Sequence, residues 1–180
     1  YDHLIDVTPE GTLAPNLATG WEISEDGTVY TFSLAEGVTF HDGTEFTSAD
    51  VVFTFERLVE LESSALGLLG EFTVEAIDDL TVQFTLPAIN ADFLYGIASR
   101  FAFILAEGTE NPNVIVEGEN SLVNFNGTGA FELAEYSPGE RALFTAYENY
   151  WIEGQPMLDA VEFIFIGDSQ ARVDALISGS

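Results

Sequence analysis

WEISEDGTVYTFSLAEGVTFHDGTEFTSADVVFTFERLV, residues 21–59, changes its hydrophobic period part-way along, and that change decides the fold class. From Thr28 to Leu34 the residues alternate. Tyr30, Phe32 and Leu34 fall on one side and Val29, Thr31 and Ser33 on the other, the period of a half-buried strand. Glu25-Asp26-Gly27 is turn chemistry, so a strand ending near Trp21 to Ser24 reverses there into a hairpin. Beyond Thr47 the period becomes helical. Val51, Val52, Phe55, Leu58 and Val59 make one apolar stripe to lie against a sheet. Thr47 is the N-cap, and Asp50 three residues later completes a box-like start at the positive end of the helix dipole.

The corner between strand and helix holds one of the chain's two histidines, at His41-Asp42-Gly43. A metal site there would need three or four convergent ligands, and no second histidine stands at helical spacing. His3 could approach only through the fold. The architectural reading is that the strand ends near Phe40, Asp42-Gly43 makes the tight turn, and His41 packs or hydrogen-bonds locally.

The same reasoning extends along the chain. Residues 72–86 form a second hairpin about Asp78-Asp79, with Val82, Phe84 and Leu86 on one face. Asn90 to Ser99 reads as a short helix, and the apolar run Phe101–Leu105 as a buried strand. Gly108 to Asn126, rich in Glu, Asn and Gly, reads as a long surface loop anchored only by residues 114–116. Residues 129–147 are two strands joined at Ser137-Pro138-Gly139-Glu140, where proline presets a turn and glycine tolerates positive φ. A strand over 160–166 follows. Asp168 then caps a last helix with Val173, Leu176 and Ile177 facing inward, stopped by Gly179. Hairpins with interspersed helices and no regular βαβ repeat give a mixed α+β, or irregular α/β, lobe.

Composition narrows the function. At 180 residues the chain suits one domain and buries about 70% of its unfolded surface without staples. Thirty-one Asp and Glu oppose four arginines (Arg57, Arg100, Arg141, Arg172) and no lysine, for a net charge of −27. Such a field repels polyphosphates and anionic membranes, so nucleic acid is not an expected partner. The acids are scattered, as on a solvated surface, and lysine-free acidity suits a protein that stays soluble in high salt. Without cysteine there is no disulfide, thiolate nucleophile or Cys-based zinc site. The longest apolar run, Phe101 to Ala106, is far shorter than the roughly 20 residues of a membrane span. The chain opens at Tyr1-Asp2-His3 without a Met, as expected of a processed or excised piece.

Chemistry is sparse. A serine nucleophile has only His3 and His41 as bases and no G-x-S-x-G elbow. Paired carboxylates could serve a glycosidase-like hydrolase, but among 31 acids proximity alone is uninformative. Gly127-Thr128-Gly129 has the outline of a phosphate loop without its third glycine or its lysine, and reads as a turn entering the strand at Phe131. Tyr147, Tyr150 and Trp151 could stack on a ligand or form a core edge with their polar handles exposed. No cofactor is called for.

The order of these segments carries more than any one of them. Residues 13–58 contain, in sequence and spacing, the blocks P-x-L-A-x-x-W, D-G-x-x-Y-x-F-x-L and G-V-x-F-H-D-G, with Ser48-Ala49-Asp50-Val51 in the place of a fourth block, A-x-D-V. Residues 126–179 add G-T-G, P-x-L-D and a D-x-x-A-x-x-x-A-L-x-x-G helix, with Tyr147-Glu148-Asn149-Tyr150-Trp151 in the place of an N-x-x-Y-W block and D-D-x-T-V-x-F-x-L at 78–86 between the two stretches. This pattern resembles the family 5 extracellular solute-binding proteins, the peptide- and nickel-binding components of ABC importers. Ala130 departs from the proline usual after G-T-G, and Ala35 and Gln155-Pro156 stand where basic residues are common.

The resemblance implies a periplasmic-binding-protein-like lobe. Members run to roughly 500 residues, several ordinary domains. Residues 1–180 are therefore expected to be a single N-terminal lobe fragment of a larger two-lobe protein. It further implies a non-enzymatic receptor that captures a peptide or similar small solute by hinge closure outside the cytoplasmic membrane. Its partners would be that ligand and the permease subunits, with the membrane reached only through an anchor or the permease. The implied ligand side points to Tyr1, Arg100 and Phe101. Arg100 could clamp a carboxylate bidentately or be a helix-terminal surface arginine paired with an acid. A carboxylate hydrolase remains the alternative of a different class, to be told by two carboxyls roughly 5 to 10 Å apart in one cleft. A sensor built on the same lobe is a third.

Overall fold

The computed structural model describes residues 1–110, 114–115, 122–123 and 125–179, with only the backbone for 114–115 and 122–123. Strands β1 (Ile5–Val7) and β2 (Leu13–Pro15) form a short antiparallel pair. The chain then enters the first hairpin, β3 (Ala18–Ile23) and β4 (Val29–Leu34). Its turn is tied by Asp26, whose carboxylate accepts from the Thr28 N–H at 3.2 Å and the Thr28 hydroxyl at 2.8 Å. Tyr30, Phe32 and Leu34 are all buried, as the alternation predicts.

Helix α1 (Ser48–Glu60) begins where the capping pattern predicts. Asp50 accepts from the Thr47 N–H at 2.7 Å and from its hydroxyl at 3.3 Å, closing the first turn. A one-turn helix α2 (Leu66–Leu69) follows, then the second hairpin, β5 (Thr73–Asp78) and β6 (Thr81–Thr85). The two hairpins merge into an antiparallel sheet of order β3-β4-β6-β5. The Ser48 N–H donates to the Asp79 carbonyl at 2.9 Å, so the helix start is pinned to the β5–β6 turn. Phe55 then meets Phe84 edge-on with centroids 4.9 Å apart, and Phe84 meets Phe32 at 5.7 Å and Phe93 at 5.6 Å. These rings are fully buried, each contributing about 1.5–3 kcal/mol by removal from water.

The helical stripe is rotated slightly from its predicted position. Val51 and Phe55 are buried, but Val59 is 48% exposed, and Thr54 is buried in its stead. Thr54 is tolerated there because its hydroxyl accepts from the Leu105 N–H at 3.0 Å.

Two other expectations are corrected after β6. The helix expected over Asn90 to Ser99 is only one turn, α3 (Phe93–Ile97). Residues 101–105 are not a strand. Ala102, Ile104 and Leu105 are buried, yet their N–H groups go to Ser99, Asp2 and Thr54, so the apolar run reports burial and not a ladder. In the loop expected over Gly108 to Asn126, β7 (Val114–Ile115) and β8 (Leu122–Val123) pair antiparallel. The rest of 111–124 lies outside the described residues.

The second sheet has the order β11-β10-β9, built from β9 (Phe131–Ser137), β10 (Arg141–Ala146) and β11 (Ala160–Ile164). Helix α4 (Ser169–Ser178) is capped as predicted, the Asp168 carboxylate accepting from the Ala171 N–H at 2.8 Å, with Gly179 at its end in the left-handed region. Its predicted inward face is not inward. Val173, Leu176 and Ile177 are 49%, 83% and 79% exposed, because no described layer covers them. The architecture is mixed α+β, and every pairing among the described strands is antiparallel.

Candidate functional site

Tyr1 sits beside the β11-β10-β9 sheet and the segment that leads into it. Its ring lies 4.8 Å from that of Phe103 and 5.1 Å from that of Phe125, and the row continues through Phe144 at 5.7 Å to Phe163 at 5.8 Å. Two glycines make the seat. A Cβ on Gly127 would fall 2.7 Å from Tyr1 Cδ1, and one on Gly129 would fall 2.8 Å from the Tyr1 nitrogen. The G-T-G run is thus more than a turn, since it lets the chain approach Tyr1 where side chains would collide.

Beside this seat opens a cavity of about 450 Å³, whose walls include Tyr1, Phe125, Phe144, Tyr150 and Phe163, with Asp2 as its one carboxylate among the described residues. Asp2 is itself engaged, accepting from the Thr128 hydroxyl at 3.1 Å. Burial pushes the Tyr1 phenol up to about 12 and, aided by the charges of Asp2 and Asp6, the Tyr150 phenol up to about 12. Both phenols therefore stay neutral at physiological pH. An aromatic-walled cavity with, among the described residues, one anchored carboxylate can bind an apolar or aromatic group.

The cavity wall at Gly129 is held from behind by the corner at His41. The expected strand ending near Phe40 is only an isolated bridge between Thr39 and Glu45, with Gly43 at φ 86° making the reversal. From this corner the His41 N–H donates to the Gly127 carbonyl at 2.9 Å, and the His41 Nε2–H donates to the Gly129 carbonyl at 2.8 Å. Asp42 exchanges bonds with Asn126, N–H to Oδ1 at 3.2 Å and Nδ2–H to Oδ2 at 2.9 Å. The buried Tyr147 hydroxyl donates to the Phe40 carbonyl at 2.7 Å, and the Tyr147 ring stands edge-on to His41 at 4.9 Å. Burial lowers the His41 pKa, partly opposed by the bond to Gly129. Burial pushes the Asp42 carboxyl up, but donors from Thr44 and Asn126 outweigh it and hold the group below the usual carboxylate range.

Of the three residues expected on the ligand side, Tyr1 lines this cavity, while Arg100 and Phe101 lie apart from it. The Arg100 guanidinium carbon sits 4.8 Å from the centroid of the Phe101 ring, itself 38% exposed. His3 faces Asp6, Nδ1 to Oδ1 3.5 Å. Among the described residues no group of three His, Asp or Glu could hold a metal ion. Tyr147 is the core-edge residue of its aromatic cluster, whereas Tyr150 faces the cavity. Sequence reasoning missed Phe125, Phe144 and Phe163. Alternation within β11, which sets Val161 and Phe163 on one face, would have found Phe163; the cross-strand register Phe144 to Val161 needs the structure.

Comparison with known proteins gives one consistent result. The family description "Bacterial extracellular solute-binding proteins, family 5 Middle" matches residues 12–180. The dipeptide-binding protein of Escherichia coli is 32% identical over 96% of this chain and 36% of its own length. The structure of NikZ from Campylobacter jejuni in complex with Ni(L-His) superposes with a TM-score of 0.82 at 26% identity, over 98% of this chain and 36% of that one. The periplasmic binding protein DppA from Helicobacter pylori, in complex with a peptide, gives a TM-score of 0.81 at 28% identity, over 99% and 39%. The chain thus spans little more than a third of the relatives it matches.

Proposed function

This chain belongs to the bacterial extracellular solute-binding proteins of family 5, and from that membership we propose that it forms part of the substrate-binding component of an ABC importer. In this reading residues 1–180 are the N-terminal lobe portion of a two-lobe receptor. The receptor captures a peptide or similar small solute outside the cytoplasmic membrane, passes it to the permease and catalyses no reaction. Names among the relatives favour a peptide, since both a dipeptide-binding protein and a peptide-bound structure are among them. The observation that carries the reading on this chain is the aromatic cavity at Tyr1, of a size suited to a side chain or small solute.

We assign Tyr1, Arg100 and Phe101 to the ligand side. Tyr1 supplies an aromatic wall, and the Arg100–Phe101 pair presents a planar cation on an exposed ring, suited to a carboxylate. Mass spectrometry of small molecules co-purifying with the intact protein tests the function. A peptide or comparable solute is expected, and turnover of that solute on prolonged incubation would overturn the receptor reading.

A further inference from the structure

His41 is bonded on one side only. Its Nε2–H donates to the Gly129 carbonyl at 2.8 Å, which fixes the tautomer and leaves Nδ1 as a bare acceptor. Nδ1 is buried and has no hydrogen-bond partner among the described residues. The turn here does not need a histidine, because Asp42, Gly43 and Thr44 already make it, with Asp42 Oδ1 accepting from the Thr44 N–H at 2.9 Å. What the imidazole adds is a strut from the 39–45 corner to the strap 126–130, and Gly129 and Ala130 of that strap line the aromatic cavity.

We propose that His41 is a proton-sensitive latch: neutral, it holds the strap and so sets one wall of the cavity, and a proton from solvent added to Nδ1 releases it. The charged form would bury an N–H with no acceptor, and a desolvated polar group of that kind opens its surroundings to water. The groups that face the ring are few. The Tyr1 amino group disfavours the cation, Glu132 on β9 and Asp2 favour it, and Tyr147 packs against it edge-on. Asp42, the neighbouring acid on the same corner, spends its carboxylate on Thr44 and Asn126. Desolvation outweighs the two acids, so the imidazole stays neutral in the folded chain below the pH at which a free one charges.

The sign follows from proton linkage. A base whose pKa is lowered by folding binds fewer protons folded than unfolded. Its contribution is therefore fully present above the ordinary imidazole value of about 6.5, and is lost as pH falls from there toward the lowered folded value. His41 is a positioning residue in this scheme. Its effect on ligand affinity rests on reading the Tyr1 cavity as the solute site, but the latch itself does not, so the test is made without ligand.

In the intact protein, histidine side-chain NMR follows the His41 titration, with His41→Gln identifying the resonance. Hydrogen exchange of the peptide covering 125–131, corrected for intrinsic rates, is compared at about pH 7.5 and about pH 5. His41 is expected to titrate below the ordinary value and the strap to exchange roughly tenfold faster in acid, the scale of leaving one buried donor unsatisfied. Glutamine, which keeps an amide donor for Gly129 but cannot charge, should abolish the acid response. Asn126→Ala, which removes a neighbouring clamp without touching the imidazole, should retain it. A His41 midpoint at or above the ordinary value overturns the proposal, as does an acid response that survives in His41→Gln. Should the glutamine variant fail to fold, the wild-type midpoint and the exchange of the strap decide by coinciding or not.

Discussion

The ring of Tyr1 occupies the space a side chain on Gly127 would need, since a Cβ there would lie 2.7 Å from Tyr1 Cδ1. Gly127→Ala should therefore overpack the seat and cost about 1–3 kcal/mol. For a domain of this size that is a fall of about 2–4 °C in Tm per kcal/mol, read by thermal unfolding. Gly127→Ala in a Tyr1→Ala background should cost much less, because the collision partner is gone. Equal costs in both backgrounds would show that the glycine serves backbone freedom and not this contact.

Much of the fold was legible wherever one periodicity governed one face. The alternation Tyr30, Phe32, Leu34 and the spacing Val51, Phe55 each describe a surface buried against a single neighbour, and each is buried as read. Phe101–Leu105 defeated the same logic because apolarity measures burial and not pairing; its backbone partners, Asp2 and Thr54, are distant in sequence. The cavity was illegible for a related reason. It is assembled from residues 1–2, residues 125–131, Tyr150 and strands β10 and β11, and no local pattern records that Gly127 and Gly129 are spaced to receive Tyr1.

At the corner itself, Gly43 adopts φ 86°, with nothing within 4 Å of a built Cβ. The cost of Gly43→Ala is therefore conformational, about 1–2 kcal/mol for an L-residue in the left-handed region. Gly43→Asn should cost less, because asparagine visits that region more readily. Chemical denaturation measures both. Asparagine costing as much as alanine would point instead to a contact not formed in this chain.

A net charge of −27 without a single lysine makes self-repulsion a term that salt can remove. Among the described residues the arginine ion pairs join Arg141 to Glu135 and Glu162, both solvent-accessible, so screening them loses little. Raising ionic strength toward 1 M shrinks the screening length to about 3 Å and should raise the unfolding midpoint progressively. A midpoint that is highest in dilute buffer and falls as salt is added would refute adaptation to a saline setting.

Arg100 offers the sharpest test of the ligand-side assignment. Stacking over Phe101 orders the guanidinium before any ligand arrives, so less side-chain freedom is lost when its fork grips a carboxylate. Arg100→Ala in the intact protein should weaken the affinity for the co-purified solute about tenfold, or about 1.4 kcal/mol, read by calorimetry. Arg100→Lys should recover only part of that loss, since an ammonium keeps the charge but cannot bond in two parallel lines. Phe101→Ala should mimic a fraction of the effect by releasing the stack. If the alanine variant binds as tightly as wild type while Tyr1→Ala does not, recognition on this lobe resides in the aromatic cavity, and the Arg100–Phe101 pair belongs to the acidic outer surface.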